Sequence, residues 1–162
     1  MNSNLSSLEK VFKEEISIYN NLVILETSKK EAILRSNAKH LENFTKQTSQ
    51  VMENLKSLEE ERIKLVQEII PSNSDLSLSN FLNSLEKNDQ IVFKPLSESL
   101  KQAVFTLKEK ISLNEELLKS KLEIFSLSLE ALKSASEPVT TEFYGEQGKS
   151  KSRTNIMLNK MA

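Results

Sequence analysis

The chain has no cysteine and no tryptophan, one histidine, two glycines and three prolines in 162 residues. Without cysteine it holds no disulfide and no thiolate metal site, a usage that fits a reducing compartment. A lone histidine, His40, and the lack of a glycine-rich phosphate loop leave no catalytic triad and no nucleotide cradle to assemble. The chain therefore reads as a non-enzyme with no expected cofactor or metal, and His40 as an exposed helix residue. Few turn glycines and few β-branched runs argue against a β or α/β fold. An excess of one charge is missing as well, because 22 basic residues stand against 23 acidic ones and give no field for nucleic acid. No apolar run is long enough to span a bilayer, and the opening MNSNLSSLEKVF lacks a charged stretch followed by an apolar one. A soluble cytoplasmic protein without membrane insertion is expected.

What is abundant is Leu, Lys, Glu, Ser and Asn, with the apolar residues at helical spacing. Leu41, Phe44, Thr48, Val51, Leu55, Leu58, Arg62, Leu65 and Ile69 recur at alternating steps of three and four. That keeps one face of a helix apolar over several heptads, as in a helix lying along another helix. The expected fold is all-α: an elongated antiparallel bundle of three long helices plus one short helix over residues 1–136, with coiled-coil-like packing, then a flexible basic tail over 137–162.

The spacing of Ser6 and Glu9 is that of a capping box, which places the first helix at about 7–35. It carries two apolar rows, Leu8, Phe12, Ile16, Tyr19 and Val23 beside Val11, Ile18, Leu22 and Leu25. Ser36 and Asn37 break and recap the chain. The second helix then runs over 37–70 until Pro71 stops it. Lys56, Glu59, Glu60, Glu61 and Lys64 form its solvated outer face, with charge pairs at helical spacing. PSNSDLSLSN reads as a loop, and a short helix at about 79–87 brings Phe81, Leu82 and Leu85 to one end of the bundle. Asn88 and Asp89 break the chain again. Pro95 suits the first turn of the last helix, 95–136.

The last helix has a main stripe, Leu100, Val104, Leu107, Ile111, Asn114, Leu118, Leu122, Phe125, Leu129 and Leu132, and two successive steps of four after Asn114 locally relax the supercoil. A second row, Leu113, Leu117, Ile124 and Leu127, occupies its C-terminal half only. One partner helix does not cover both rows. Either the other helices cover the second row, or another protein does.

After Glu137-Pro138 the regular period ends, and both glycines, Gly145 and Gly148, fall here. Lys149, Lys151, Arg153 and Lys160 make the final stretch basic, and Ile156-Met157-Leu158 with Met161 gives it an adaptable apolar cluster suited to a partner groove. An inert end and a membrane-surface contact by KSKSRTNIMLNKMA are the competing readings of that tail.

The order of these features resembles the FlgN-type flagellar export chaperones. Carrying the likeness are LEKVFKEEISIYNNL, LKSLEEERIKLVQEI, SLNEELLKSKLEIFSLSLEAL with Asn114 before Leu117-Leu118, and the patch EFYGEQG around Tyr144. The chain departs from the family pattern at Leu117, where a second Asn is common, and in the basic extension after Gly148. The resemblance implies a cytoplasmic, non-enzymatic escort of the hook–filament junction proteins FlgK and FlgL to the type III export gate protein FlhA, working as a monomer or weak dimer. It also implies client contacts at Leu117, Ile124, Leu127, Ile156, Met157 and Leu158, and gate docking at Tyr144. The alternative from another class is a structural coiled-coil adaptor without an export role.

Overall fold

The computed structural model describes residues 3–70 and 75–136, all in helices and their connections: α1 Ser3–Leu34, α2 Ala38–Ile69, α3 Leu78–Ser84 and α4 Lys87–Ser136. Packing divides the chain between Leu117 and Leu118 into two compact units.

In the first unit α1 and α2 run antiparallel. Asn4 donates to Glu68 at 3.1 Å, Arg62 to Glu15 at 2.9 Å and Tyr19 to Glu59 at 2.8 Å, so later residues of α1 meet earlier ones of α2. α4 runs parallel to α1, since Phe12 meets Phe93 edge-on at 5.8 Å and Asn114 bonds Glu26. The α2 stripe faces inward along its whole length, with Leu55 buried and its other members half-buried. Both α1 rows are inside too: Leu8, Val11, Phe12, Leu22 and Leu25 are buried, while Ile16, Ile18, Tyr19 and Val23 are partly so. Burying a side chain of this size stabilises the fold by about 1.5–3 kcal/mol.

Short α3 closes one end of this core. Its Phe81 stacks on Phe12 at 6.5 Å and meets Phe93 edge-on at 5.4 Å, and all three rings are fully buried. Ser77 caps the helix by accepting a hydrogen bond from the Asn80 amide.

The turn between α1 and α2 is built as the sequence suggests, with one costly residue. The Asn37 amide donates to the Ala32 carbonyl at 2.9 Å and the Ser36 amide to Ile33 at 3.0 Å, the paired bonds that close a helix through a left-handed residue. That residue is Ser36, at φ 53°, where a side chain is unfavourable. Asn37 then caps α2 by accepting from the His40 amide at 3.1 Å. Ser36→Gly is therefore expected to stabilise the chain by about 0.5 kcal/mol, the relief of left-handed strain exceeding the added freedom of the unfolded chain. The urea midpoint measures it, and a fall in midpoint would show that the serine side chain holds the turn.

Three expected boundaries move. α1 starts at Ser3, with Ser6 and Glu9 inside it rather than capping it, because Leu5 already packs into the core with Leu8 and Phe12. α3 spans Leu78–Ser84 and stops short of Leu85. α4 begins at Lys87, well before Pro95. Asn88 and Asp89 lie in its first turn, where an acidic side chain favours the helix start. Pro95 sits in the helix interior and removes the amide that would bond the Ile91 carbonyl, but Pro95 and Ile91 are both exposed, so water serves that carbonyl. Phe93 and Leu96 on the opposite side hold these turns against the core.

Two carboxylates interrupt the apolar interior. Glu15, fully buried, accepts from Arg62 through Oε1, while its Oε2 has no partner among the described residues. Burial pushes the Glu15 carboxyl above its ordinary value, and Arg62 offsets part of that rise. Beside it, burial and the hydrogen bond to Glu59 hold the Tyr19 hydroxyl protonated far above its usual range. Glu59 is thus half-buried and bonded, unlike exposed Lys56, Glu60, Glu61 and Lys64, and no ion pair among the described residues joins that outer face. The second carboxylate, Glu26, takes the Asn114 amide at 2.8 Å on both its backbone and side-chain oxygens and pairs with Lys29 at 2.7 Å.

Candidate functional site

Asn114 is the last buried residue of α4. Up to that point the helix alternates buried and half-buried positions, Phe93, Leu100, Ala103 and Leu107 being inside. The rest of the main stripe does not pack like its first half: Leu118, Leu122, Phe125, Leu129 and Leu132 are exposed large hydrophobics.

α1 and α2 have 32 residues each and α4 has 50, so α4 is about 27 Å longer at the standard rise and neither of the others can match it throughout.

The second row behaves likewise. Leu113 is exposed, Leu117 is half-buried, Ile124 is 63% exposed and Leu127 is 66% exposed. Ile124 and Leu127 lie one turn apart on the same helix, and Leu117 two turns before Ile124. Of the two ways to cover this row, burial by the other helices is not what the described residues do. The other expected contacts, Tyr144, Ile156, Met157 and Leu158, lie outside the described residues.

The second unit's described part is thus a single-helix segment with two exposed apolar rows separated by charged and serine positions. A contiguous exposed patch of this kind marks an interaction surface, since isolated monomers seldom carry one. Among the described residues no cluster of three His, Cys, Asp or Glu is placed to hold a metal, and no helix is long and apolar enough to cross a membrane. In the first unit α1 and α4 leave an open groove of about 560 Å³, lined by Ile16, Asn20 and Val23 on one side and Glu98, Ser99, Gln102, Ala103 and Thr106 on the other, with Glu98 its one ionisable side chain. Its walls converge on no acid–base pair or nucleophile–base pair of the sort a reacting centre requires. His40 is exposed near the start of α2, 6.3 Å from the Phe44 ring.

Sequence reasoning missed the Glu15–Arg62 pair, although a signal for it was present. Arg62 stands in the apolar α2 stripe, and Glu15 falls three residues after Phe12 and four before Tyr19 on the inward face of α1.

No curated protein and no solved structure matches the chain. Residues 1–152 match the family described as FlgN protein, a span that takes in all four helices. With an all-α bundle, a long apolar helical surface and this match over most of its length, the chain belongs to the FlgN family of flagellar export chaperones.

Proposed function

We propose that this chaperone works in the cytoplasm on the hook–filament junction proteins FlgK and FlgL, masks their terminal amphipathic segments until export, and hands them to the export gate protein FlhA. The observation that carries the reading is the exposure of Ile124 and Leu127 on a helix that has outrun its neighbours in length. A client bound for a narrow channel must stay unassembled, and an apolar helix face takes up an amphipathic helix reversibly. Leu117, Ile124 and Leu127 supply the α4 side of the contact. Ile156, Met157 and Leu158 close over the client from the tail, with methionine adapting to more than one client surface. Tyr144 docks on the gate. The chain acts as a monomer or weak dimer, with no cofactor and no bond-making step.

Co-purification with the C-terminal segments of FlgK and FlgL, each tested separately beside an unrelated amphipathic helix, tests the assignment. Capture of one or both junction segments in preference to the control is expected. Equal capture of all three would reduce the surface to a non-selective one and favour a structural adaptor.

A further inference from the structure

We propose that in the client-free chain the segment Asn155–Met161 folds back onto the Ile124–Leu127 row of α4 and covers it. The described part of the second unit has two apolar rows that differ in their charged borders. Taking about 100° per residue, Leu118, Leu122, Phe125, Leu129 and Leu132 form one row, and Ile124, Leu127 and Ala131 form another roughly 140° around the helix. Lys119 and Lys133 border the first, at three residues before Leu122 and four after Leu129. Glu123 and Glu130 border the second, at four before and three after Leu127, while Lys121, three before Ile124 and four before Phe125, stands on the opposite margin between the two rows. One helix thus offers a row with a basic edge and a row with an acidic edge.

The chain carries one segment with the matching character. Ile156, Met157, Leu158 and Met161 are apolar, and Lys149, Lys151, Arg153 and Lys160 around them are the only charges after Glu146. On the basic-edged row these cations meet Lys119 and Lys133. On the acidic-edged row they meet Glu123 and Glu130, so like-charge repulsion excludes the first and attraction selects the second. Reach is no obstacle. From Ser136 back to Ile124 is about 18 Å of helix, and the stretch 137–154 spans up to about 60 Å when extended. Its Pro138, Gly145 and Gly148 suit a chain that reverses direction. A second copy of this chain seated like row on like row opposes lysine to lysine, and the remaining pairing, basic-edged row on acidic-edged row, is the competing occupant that a product mainly between chains would reveal.

The acidic-edged row includes two of the proposed client contacts. Resting on that reading, the segment is a built-in competitor: it covers the row until a client displaces it, and then turns to the client. A tethered occupant at high effective concentration screens out weak, non-client helices without blocking a tight one.

The chain has no cysteine, so introduced pairs report proximity cleanly. In the full client-free chain, Leu127→Cys with Met157→Cys is compared with Leu129→Cys with Met157→Cys, which probes the basic-edged row at nearly the same height. Within-chain disulfide is expected to accumulate about tenfold faster in the first pair. Adding Glu123→Lys and Glu130→Lys is expected to erase the difference. Equal rates for the two pairs, indifference to the charge reversals, or a product mainly between chains would each overturn the proposal. A junction-protein segment added to the mixture slows the Leu127 crosslink if the client reading holds. A selective crosslink that the segment leaves unchanged sustains the self-covering contact and removes the client from that row.

Discussion

Arg62→Met is expected to destabilise the chain by about 3–5 kcal/mol at neutral pH, a large share of a domain's net stability. Arg62 is the hydrogen-bonding cation of a carboxylate with no exposed surface, and methionine keeps most of its volume while removing the charge. Glu15 then faces neutral pH ionised and unpaired, or takes up a proton at a cost. The loss should depend on pH in a defined direction. The folded-state value of Glu15 already lies above its ordinary 4.5, so between those values the folded chain binds more protons than the unfolded one. Stability at this site is therefore fully present below the ordinary value and falls as pH rises through the folded one. Since Arg62 lowers the folded value, removing it extends the window upward and enlarges the deficit at neutrality. Urea unfolding should show the variant recovering towards the parent as the medium is acidified to about pH 4. Glu15→Gln in the same background should restore much of the stability at neutral pH. A loss that is the same at both pH values and is not restored by Glu15→Gln would assign the effect to packing of the arginine stem instead.

The second large effect concerns binding and leaves the fold alone. Ile124→Asp together with Leu127→Asp is expected to weaken capture of the junction-protein segments at least ~100-fold, because two apolar contacts are lost and two charges enter an apolar interface. In the free chain both side chains are largely in water, so the unfolding midpoint and helical signal should change by no more than about 0.5 kcal/mol. The same replacement at Leu22, fully buried in the first unit, would unfold the bundle and could not separate the two roles. Retention of tight capture by the double variant would move the client off the Ile124–Leu127 row, leaving the row of Leu118, Leu122 and Phe125 as the surface to test.

How far these features were legible varies along the chain for physical reasons. α2 reads almost residue by residue, because its apolar period is unbroken and Asn37 marks its start with a side chain suited to capping. α1 is legible in its two rows but not in its first turns. Leu5 joins the core and carries the helix past Ser6, so tertiary packing overrides a local capping pattern. The start of α4 was misplaced because asparagine, aspartate and proline are all ambiguous between loop and helix opening. What settles it is the cluster of Phe12, Phe81 and Phe93, which needs Phe93 on a formed helix and brings together residues far apart in sequence. The two apolar rows of α4 follow from period alone. Their exposure does not, since period marks which residues share a face and says nothing of which of those faces meets another helix. Glu26 was unreadable in another way: unlike Glu15, which faces an arginine standing in an apolar stripe, its partner Asn114 lies 88 residues away on a different helix.

Asn114 has a consequence for how the bundle can move. Sliding α4 along α1 by one heptad, about 10 Å, would pull Phe93 away from Phe12 at one end of the bundle, while near Asn114 it would still set apolar residues against apolar ones. The amide would then lie beside Tyr19 or Ile33, and Glu26 would lose the donor it now shares between two oxygens. One asparagine thus acts as a second notch, far along the rail from the one the three rings make. It sets a single axial alignment of the two parallel helices, and loading or unloading of cargo must proceed without ratcheting the core.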